Sequence, residues 1–307
     1  MAGKFKVLLY YKYVKLEQLE KIQLEQKALC LRLNLKGRVL LSDEGINGTI
    51  AGFPSDVDTY IKETGSMSFF SGMEWKISFS EEQVFPKMKV VVRDEIVTLG
   101  LKKNGDDVLI SKKADYIEPE ELNEYFEKGR DFIIVDARNS YESSVGKFKG
   151  AKVGNIDNFR DFPKFVEELK EHKDKEIVTY CTGGVRCEKA SAYLKEQGFK
   201  NVRQLHGGIH EYGEKVGGKY FEGQMFVFDK RLTIPVNKIN PSLISECIYC
   251  KVKISRYVDC AILSCHSLFI CCEDCQAKNK GTCSFDCLTK LEAKLEPFSS
   301  VFANISL

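Results

Sequence analysis

Phe5–Tyr13 is an apolar and aromatic run interrupted only by Lys6 and Lys12, and it predicts a strand. Leu16, Leu19, Ile22 and Leu29 then recur at helical spacing and mark one face of a helix. Arg38–Leu41 reads as a second short strand and Thr49-Ile50-Ala51 as a third. Between these two, Asp43-Glu44-Gly45-Ile46-Asn47-Gly48 is rich in turn formers and predicts a hairpin. Ser55 with Asp58 has the pattern of a capping box opening a helix over Val57, Tyr60 and Ile61. Trp75, Ile77 and Phe79 alternate again as a strand, and the stretch 87–93 adds one more. The order βαββαβ predicts a ferredoxin-like α+β sandwich over 1–100, with 101–114 as a linker.

The pattern then changes. Ile133-Ile134-Val135 and Ile177-Val178-Thr179 are short continuous apolar runs, as buried parallel strands require. Helical periodicity at 119–128, 163–171 and 186–197 separates them, and Gly198 is a C-terminal stop for the last helix. An α/β domain with helices on both faces of a parallel sheet is therefore expected over 115–222. A third region follows Pro235 and Pro241, and at 240–290 it is dense in cysteine.

A chain of 307 residues has room for two domains and a small third. Lys+Arg 46 against Asp+Glu 44 leaves +2, which neither implies nor excludes a nucleic-acid partner. No run approaches the roughly 18 apolar residues of a membrane span, so no membrane association is expected. The apolar start is too short for a signal peptide, and a cytoplasmic location is expected. In that compartment the twelve cysteines read as nucleophiles or metal ligands before disulfides.

The candidate chemistry centres on Tyr180-Cys181-Thr182-Gly183-Gly184-Val185-Arg186-Cys187. Cys181 ends an apolar strand and Arg186-Cys187 opens a helix. Gly183 and Gly184 let the intervening N–H groups turn inward as an anion nest, and the helix N-terminus and Arg186 add positive charge. Such settings lower a thiol pKa from about 8.5 to roughly 3.5–7.5, which makes Cys181 a candidate nucleophile. From position alone, an ordinary glycine-rich turn with an incidental cysteine is the competing reading. Four residues separate Cys181 from Arg186, one fewer than in a phosphatase loop, so the cradle suits a terminal sulfur better than a phosphate ester.

The middle domain resembles a rhodanese domain. Asp136-Ala137-Arg138, Tyr141-Glu142 and Gly146-Lys147-Phe148-Lys149-Gly150-Ala151 follow that family's order, with Lys147 where histidine is usual. The resemblance implies that Cys181 carries a persulfide, stabilised by the loop N–H groups and Arg186, and that Asp136 and Arg138 are a buried pair bracing the loop. It narrows on Ser42-Asp43-Glu44-Gly45-Ile46-Asn47-Gly48-Thr49-Ile50-Ala51-Gly52, Phe159-Arg160-Asp161-Phe162-Pro163, Gly207-Gly208-Ile209 and Phe226-Val227-Phe228-Asp229. Together with the cysteine loop these resemble the rhodanese-related tRNA uridine hydroxylase family, from about residue 5 to 287, with Phe221 where tryptophan is common. Its N-terminal domain is of the ferredoxin/acylphosphatase-like kind. The family oxidises the wobble uridine of tRNA to 5-hydroxyuridine, using dioxygen and an electron donor that the sequence does not identify. No flavin fingerprint and no two-histidine–carboxylate iron set is evident among four histidines.

A tRNA partner requires a basic surface, and the candidates are Lys36, Arg38, Lys87, Lys89, Arg93 and Arg160, with a plain solvated face as the alternative. Phe159–Pro163 reads equally as a loop with buried phenylalanines, and His206 as structural. At the C-terminal end, Cys247-x2-Cys250 and Cys272-x2-Cys275 lie 21 residues apart, and Cys260-x4-Cys265 and Cys283-x3-Cys287 supply two more pairs. Two structural zinc sites fit this pattern, with Cys271 left over and His266 as a substitute ligand at one; a metal-free packed extension of reduced cysteines is the rival, and disulfides are the third reading. Two other functions compete with the hydroxylase: a sulfurtransferase taking sulfur from a small sulfur donor, and a non-catalytic RNA-binding or redox-sensing protein.

Overall fold

A computed structural model describes residues 3–102 and 110–293. Half of the expected linker, 103–109, lies outside the described residues, as does the tail beyond 293. The first unit runs β1 (Phe5–Tyr13), α1 (Leu19–Arg32), β2 (Lys36–Ser42), β3 (Gly45–Gly52), α2 (Pro54–Gly65), β4 (Trp75–Ser80) and β5 (Met88–Val92). Its sheet has the order β4-β1-β3-β2-β5, antiparallel except for the β2–β5 pair. This is the ferredoxin-like sandwich with one added edge strand. Leu8, Tyr10, Val39, Leu41, Ile46 and Ile50 turn to one face and bury against Ile22, Leu29, Val57 and Tyr60 of the two helices. Side chains alternate across a strand, so Leu9, Tyr11 and Tyr13 must face the other way.

Two local expectations differ from the structure. The turn-rich stretch 43–48 is mostly strand: the turn shrinks to Asp43-Glu44 and β3 begins at Gly45. The glycine at 48 serves clearance rather than a turn, because a Cβ there would lie 2.3 Å from the Tyr10 ring. Ser55 does not cap α2. That helix opens on Pro54, whose fixed φ suits a first turn, and Asp58 instead binds Lys6 Nζ at 2.6 Å.

The second unit comprises β6 (Asp115–Ile117), α3 (Pro119–Glu127), β7 (Ile133–Asp136), α4 (Ser140–Val145), β8 (Gly146–Phe148), β9 (Lys152–Val153), α5 (Phe162–Glu168), β10 (Glu176–Tyr180), α6 (Val185–Glu196), β11 (Asn201–Leu205) and α7 (Gly208–Val216). The sheet order β6-β11-β10-β7-β9 is parallel throughout. On one face Val135 and Ile177 pack with Phe162, Phe165, Ala190 and Leu194 of α5 and α6. On the other, Ile134 and Val178 pack with Leu122, Tyr125, Ile209 and Tyr212 of α3 and α7. Burial on both faces explains why these strands read as continuous apolar runs.

After α7, β12 (Phe221–Phe226) pairs with β8 and with β13 (Thr233–Pro235). The cysteine-rich end holds the hairpin β14 (Tyr257–Asp259) and β15 (Leu268–Ile270), then α8 (Glu273–Lys278) and α9 (Phe285–Glu292). Its small core is largely cysteine, with Val258, Ile262 and Phe269. Among the described residues, no helix is long and apolar enough to cross a membrane.

Candidate active site

Cys181 leaves the C-terminal end of the central strand β10, and the chain turns through Thr182-Gly183-Gly184 into α6. Gly184 adopts φ +102, a region that favours glycine, and its N–H donates to Cys181 Sγ at 3.1 Å. The Arg186 and Cys187 N–H groups also favour the ionised form of this sulfur. Helix α7 fixes the loop from behind: Ile209 N–H donates to Cys181 O at 3.0 Å and His210 N–H to Thr182 O at 3.1 Å. Burial alone would raise the Cys181 thiol. The Cys187 thiol, the Arg186 charge and the two N–H groups outweigh it and bring the pKa down from 9.0 to about 6. Cys187 goes the opposite way, raised by burial and by its bond to Cys181, and so stays a neutral donor.

Arg186 is itself held by Glu142 of α4, through Nη1–Oε2 at 2.5 Å and Nη2–Oε1 at 2.8 Å. Thr182 Oγ1 accepts from Arg186 Nη2 and donates to Glu142 Oε1, each at 3.2 Å. Glu142 is fully buried, which would raise its carboxyl; Arg186, then Arg138, hold it below the usual range. Glu142 also closes the first turn of α4 by accepting from Asn139 N–H at 3.2 Å. Asp136 and Arg138 pair at 2.6 and 2.9 Å with no exposure. They do not touch the sulfur. Asp136 accepts from Tyr180 Oη at 2.7 Å, immediately before Cys181, and Arg138 donates to Gly146 O at 2.6 Å. They are positioning residues that tie β7, β8 and β10 together.

The helix-free face of the first sheet covers this loop. Tyr13 Oη donates to Val185 O and Tyr11 Oη to Glu188 Oε1, both at 3.2 Å. Leu9 lies against Gly183, and a Cβ on Gly184 would lie 2.7 Å from Tyr11 Oη. Below them Lys189, 4% exposed, reaches Glu95 at 2.6 Å, Glu44 at 2.9 Å and Val97 O at 3.0 Å. His206 bridges the same seam, 2.8 Å from both Glu74 and Glu118, which is a structural role. Under this cover Cys181 has no exposed surface.

The sequence pattern contained Glu142 but gave it no role, and it missed the first sheet's contribution altogether. Its only signal was an outward face of β1 that carries Leu9, Tyr11 and Tyr13 instead of charge. The basic candidates fall into two places. Arg38 stands opposite Lys89 in the β2–β5 register, with Lys36 two residues earlier on β2, Lys87 just before β5 and Arg93 just beyond it; all but the half-buried Lys36 are exposed. Arg160 stands apart, exposed in the turn before α5 with its stem against Gly100, while Phe159 and Phe162 are buried.

The cysteine pairs interleave. Cys247, Cys250, Cys272 and Cys275 form one group and Cys260, Cys265, Cys283 and Cys287 the other, with all sulfurs in a group within 4.8 Å of one another. Cys271 is buried outside both, its thiol pushed up to about 12 by burial, and His266 joins neither. Sulfur–sulfur separations of 3.7 Å (Cys250–Cys272), 3.5 Å (Cys265–Cys283) and 3.8 Å (Cys283–Cys287) match the roughly 3.8 Å edge of a tetrahedron with Zn–S near 2.3 Å.

Comparison with known proteins agrees with this architecture. Residues 5–96 match the UPF0176 acylphosphatase like domain, 118–215 the rhodanese-like domain and 222–288 the rhodanase C-terminal family. The tRNA uridine(34) hydroxylase of Staphylococcus haemolyticus is 42% identical over 286 residues, 92% of this chain and 88% of that protein. That of Cytophaga hutchinsonii is 40% identical over 283 residues, covering 92% and 89%. Similarity of this extent spans the sheet cover, the cysteine loop and the cysteine-rich end alike, and the chain belongs to the tRNA uridine(34) hydroxylase family.

Proposed function

We propose that this protein converts uridine 34, the wobble uridine of tRNA, to 5-hydroxyuridine in the cytoplasm, with Cys181 as its persulfide-forming residue. The observation that carries the reading is the Cys181 sulfur itself, ionised from about pH 6 upward inside a nest of N–H groups. A thiolate there attacks the outer sulfur of a small donor such as thiosulfate. The new S–S bond forms, sulfite leaves with its electron pair, and the nest and Arg186 hold the terminal sulfur's charge. Hydroxylation needs more: one oxygen atom of dioxygen enters the C5–H bond, and the other becomes water with two electrons and two protons from a donor. Arg38, Lys87, Lys89 and Arg93 provide a basic edge for the tRNA backbone, and Arg160 a second contact.

Nucleoside mass spectrometry on tRNA from cells lacking the gene tests the reading. Loss of 5-hydroxyuridine, restored by the wild-type gene and not by Cys181→Ser, is expected. Unchanged 5-hydroxyuridine in a strain with no second hydroxylase, alongside thiosulfate-to-cyanide transfer that needs Cys181, would instead assign a sulfurtransferase.

The eight paired cysteines are proposed to hold two structural zinc ions. An all-thiolate, four-coordinate donor set with no open position suits zinc, and the interleaving cross-links a segment with little other core. Elemental analysis of protein purified under reducing conditions should give two zinc per chain. Metal-free protein with an unchanged melting temperature would refute this.

A further inference from the structure

The end of β12 buries Phe226, and two residues on the chain exposes Phe228, whose exposure is 58%. A single exposed apolar side chain is ordinary; this one is unusually well supported. The Phe226 ring beneath it is 5.3 Å away, edge to face, and is wedged by Tyr141 of α4 at 5.1 Å and Tyr257 of β14 at 5.6 Å. The turn that follows is pinned. Arg231 holds Asp229 through Nε at 2.9 Å and reaches Ser78 Oγ of the first unit at 3.2 Å, and Lys230 N–H donates to Val84 O at 3.1 Å. The outer ring lies 5.9 Å from the Arg186 guanidinium, beside the cysteine loop. Both Arg186 amino groups are already bonded to Glu142, so this corner is not arranged to grip a phosphate. What it offers is a rigid π-face next to the nucleophile's arginine.

We infer that Phe228 is the stacking platform for the pyrimidine ring of the substrate nucleotide, holding the extruded base beside the Cys181 loop. This rests on the hydroxylase reading for the identity of the base. Stacking on an aromatic face is how proteins hold unpaired bases, and an aliphatic side chain does not replace it. An apolar protein partner would use the same ring for bulk alone.

The test uses full-length protein and an anticodon stem-loop RNA with uridine, or an abasic residue, at the wobble position. Phe228→Trp should show indole fluorescence quenched by the uridine RNA and little changed by the abasic one, measured against the parent's single Trp75. Placed in a Cys181→Ser background, this titration reads binding without turnover. Phe228→Ala should raise KM roughly five- to hundredfold with kcat much less affected; Phe228→Leu should behave like Ala, and Phe228→Tyr like wild type. A wild-type KM for Phe228→Leu, or quenching indifferent to the base, would overturn the platform while leaving the hydroxylase reading intact. Base-dependent quenching by a protein that forms no 5-hydroxyuridine would do the reverse.

Discussion

At Cys181, burial and stabilisation compete, and stabilisation wins. An ultraviolet thiolate titration, wild type minus Cys181→Ser, should therefore show a midpoint near pH 6. The folded value lies below the unfolded one, so between these two pH values the unfolded chain binds more protons and stability rises with pH. The contribution is fully present above about pH 9 and is lost as pH falls through about 6. The stability difference between wild type and Cys181→Ser should track that window; a flat difference would count against the thiolate. Arg186→Ala should move the midpoint upward. It also strands the fully buried Glu142, at about 3–5 kcal/mol. Arg186→Ala with Glu142→Gln should recover part of that stability and leave the midpoint high, which separates packing from charge.

On the scale of elements, the loop depends on one backbone conformation under one neighbouring strand. Gly184→Ala meets both a φ of +102 and the Tyr11 hydroxyl, and thermal unfolding should show a loss of about 1–3 kcal/mol. Adding Tyr11→Phe removes the hydroxyl clash but not the dihedral cost, so recovery should be partial. Much at this scale is legible in the sequence itself. The apolar and aromatic run of Phe5–Tyr13, the apolar runs of β7 and β10, and the cysteine–glycine–arginine spacing each carry a local signature. Where the local pattern misleads, packing has overruled it: Gly48 is a glycine because Tyr10 lies over it, and Ser55 sits inside a helix that Pro54 has already begun. Glu142 reaches Arg186 across 44 residues, and nothing in either neighbourhood of the sequence encodes that pairing.

Across the whole molecule, the two stretches with the strongest family likeness turn out to be two sides of one joint. Glu44 comes from the turn before β3, Lys189 from the first turns of α6, and Glu95 from the chain beyond β5; they meet beneath the cysteine loop, with Lys189 and Glu95 buried and Glu44 partly buried. Glu95 also accepts from the N–H groups of Leu99 and Gly100, and Glu44 from Ile96, so both carboxylates are fixed before the lysine arrives. Preplaced acceptors of this kind make the lysine a latch between the first sheet and the cysteine loop. Lys189→Ala leaves the buried Glu95 and the partly buried Glu44 without their shared cation, at a cost of up to about 3–5 kcal/mol relative to the intact cluster. The cheapest relief is separation of the sheet from α6, which admits water to the carboxylates and uncovers Cys181. Alkylation of Cys181 by a bulky maleimide, followed by peptide mass spectrometry, should accelerate on the order of tenfold or more, with far-ultraviolet circular dichroism unchanged. Glu44→Gln with Glu95→Gln in the same background removes the stranded charges and should slow the reaction again. Equal alkylation rates in wild type and Lys189→Ala would mean that Leu9, Tyr11 and Tyr13 hold the cover without the latch.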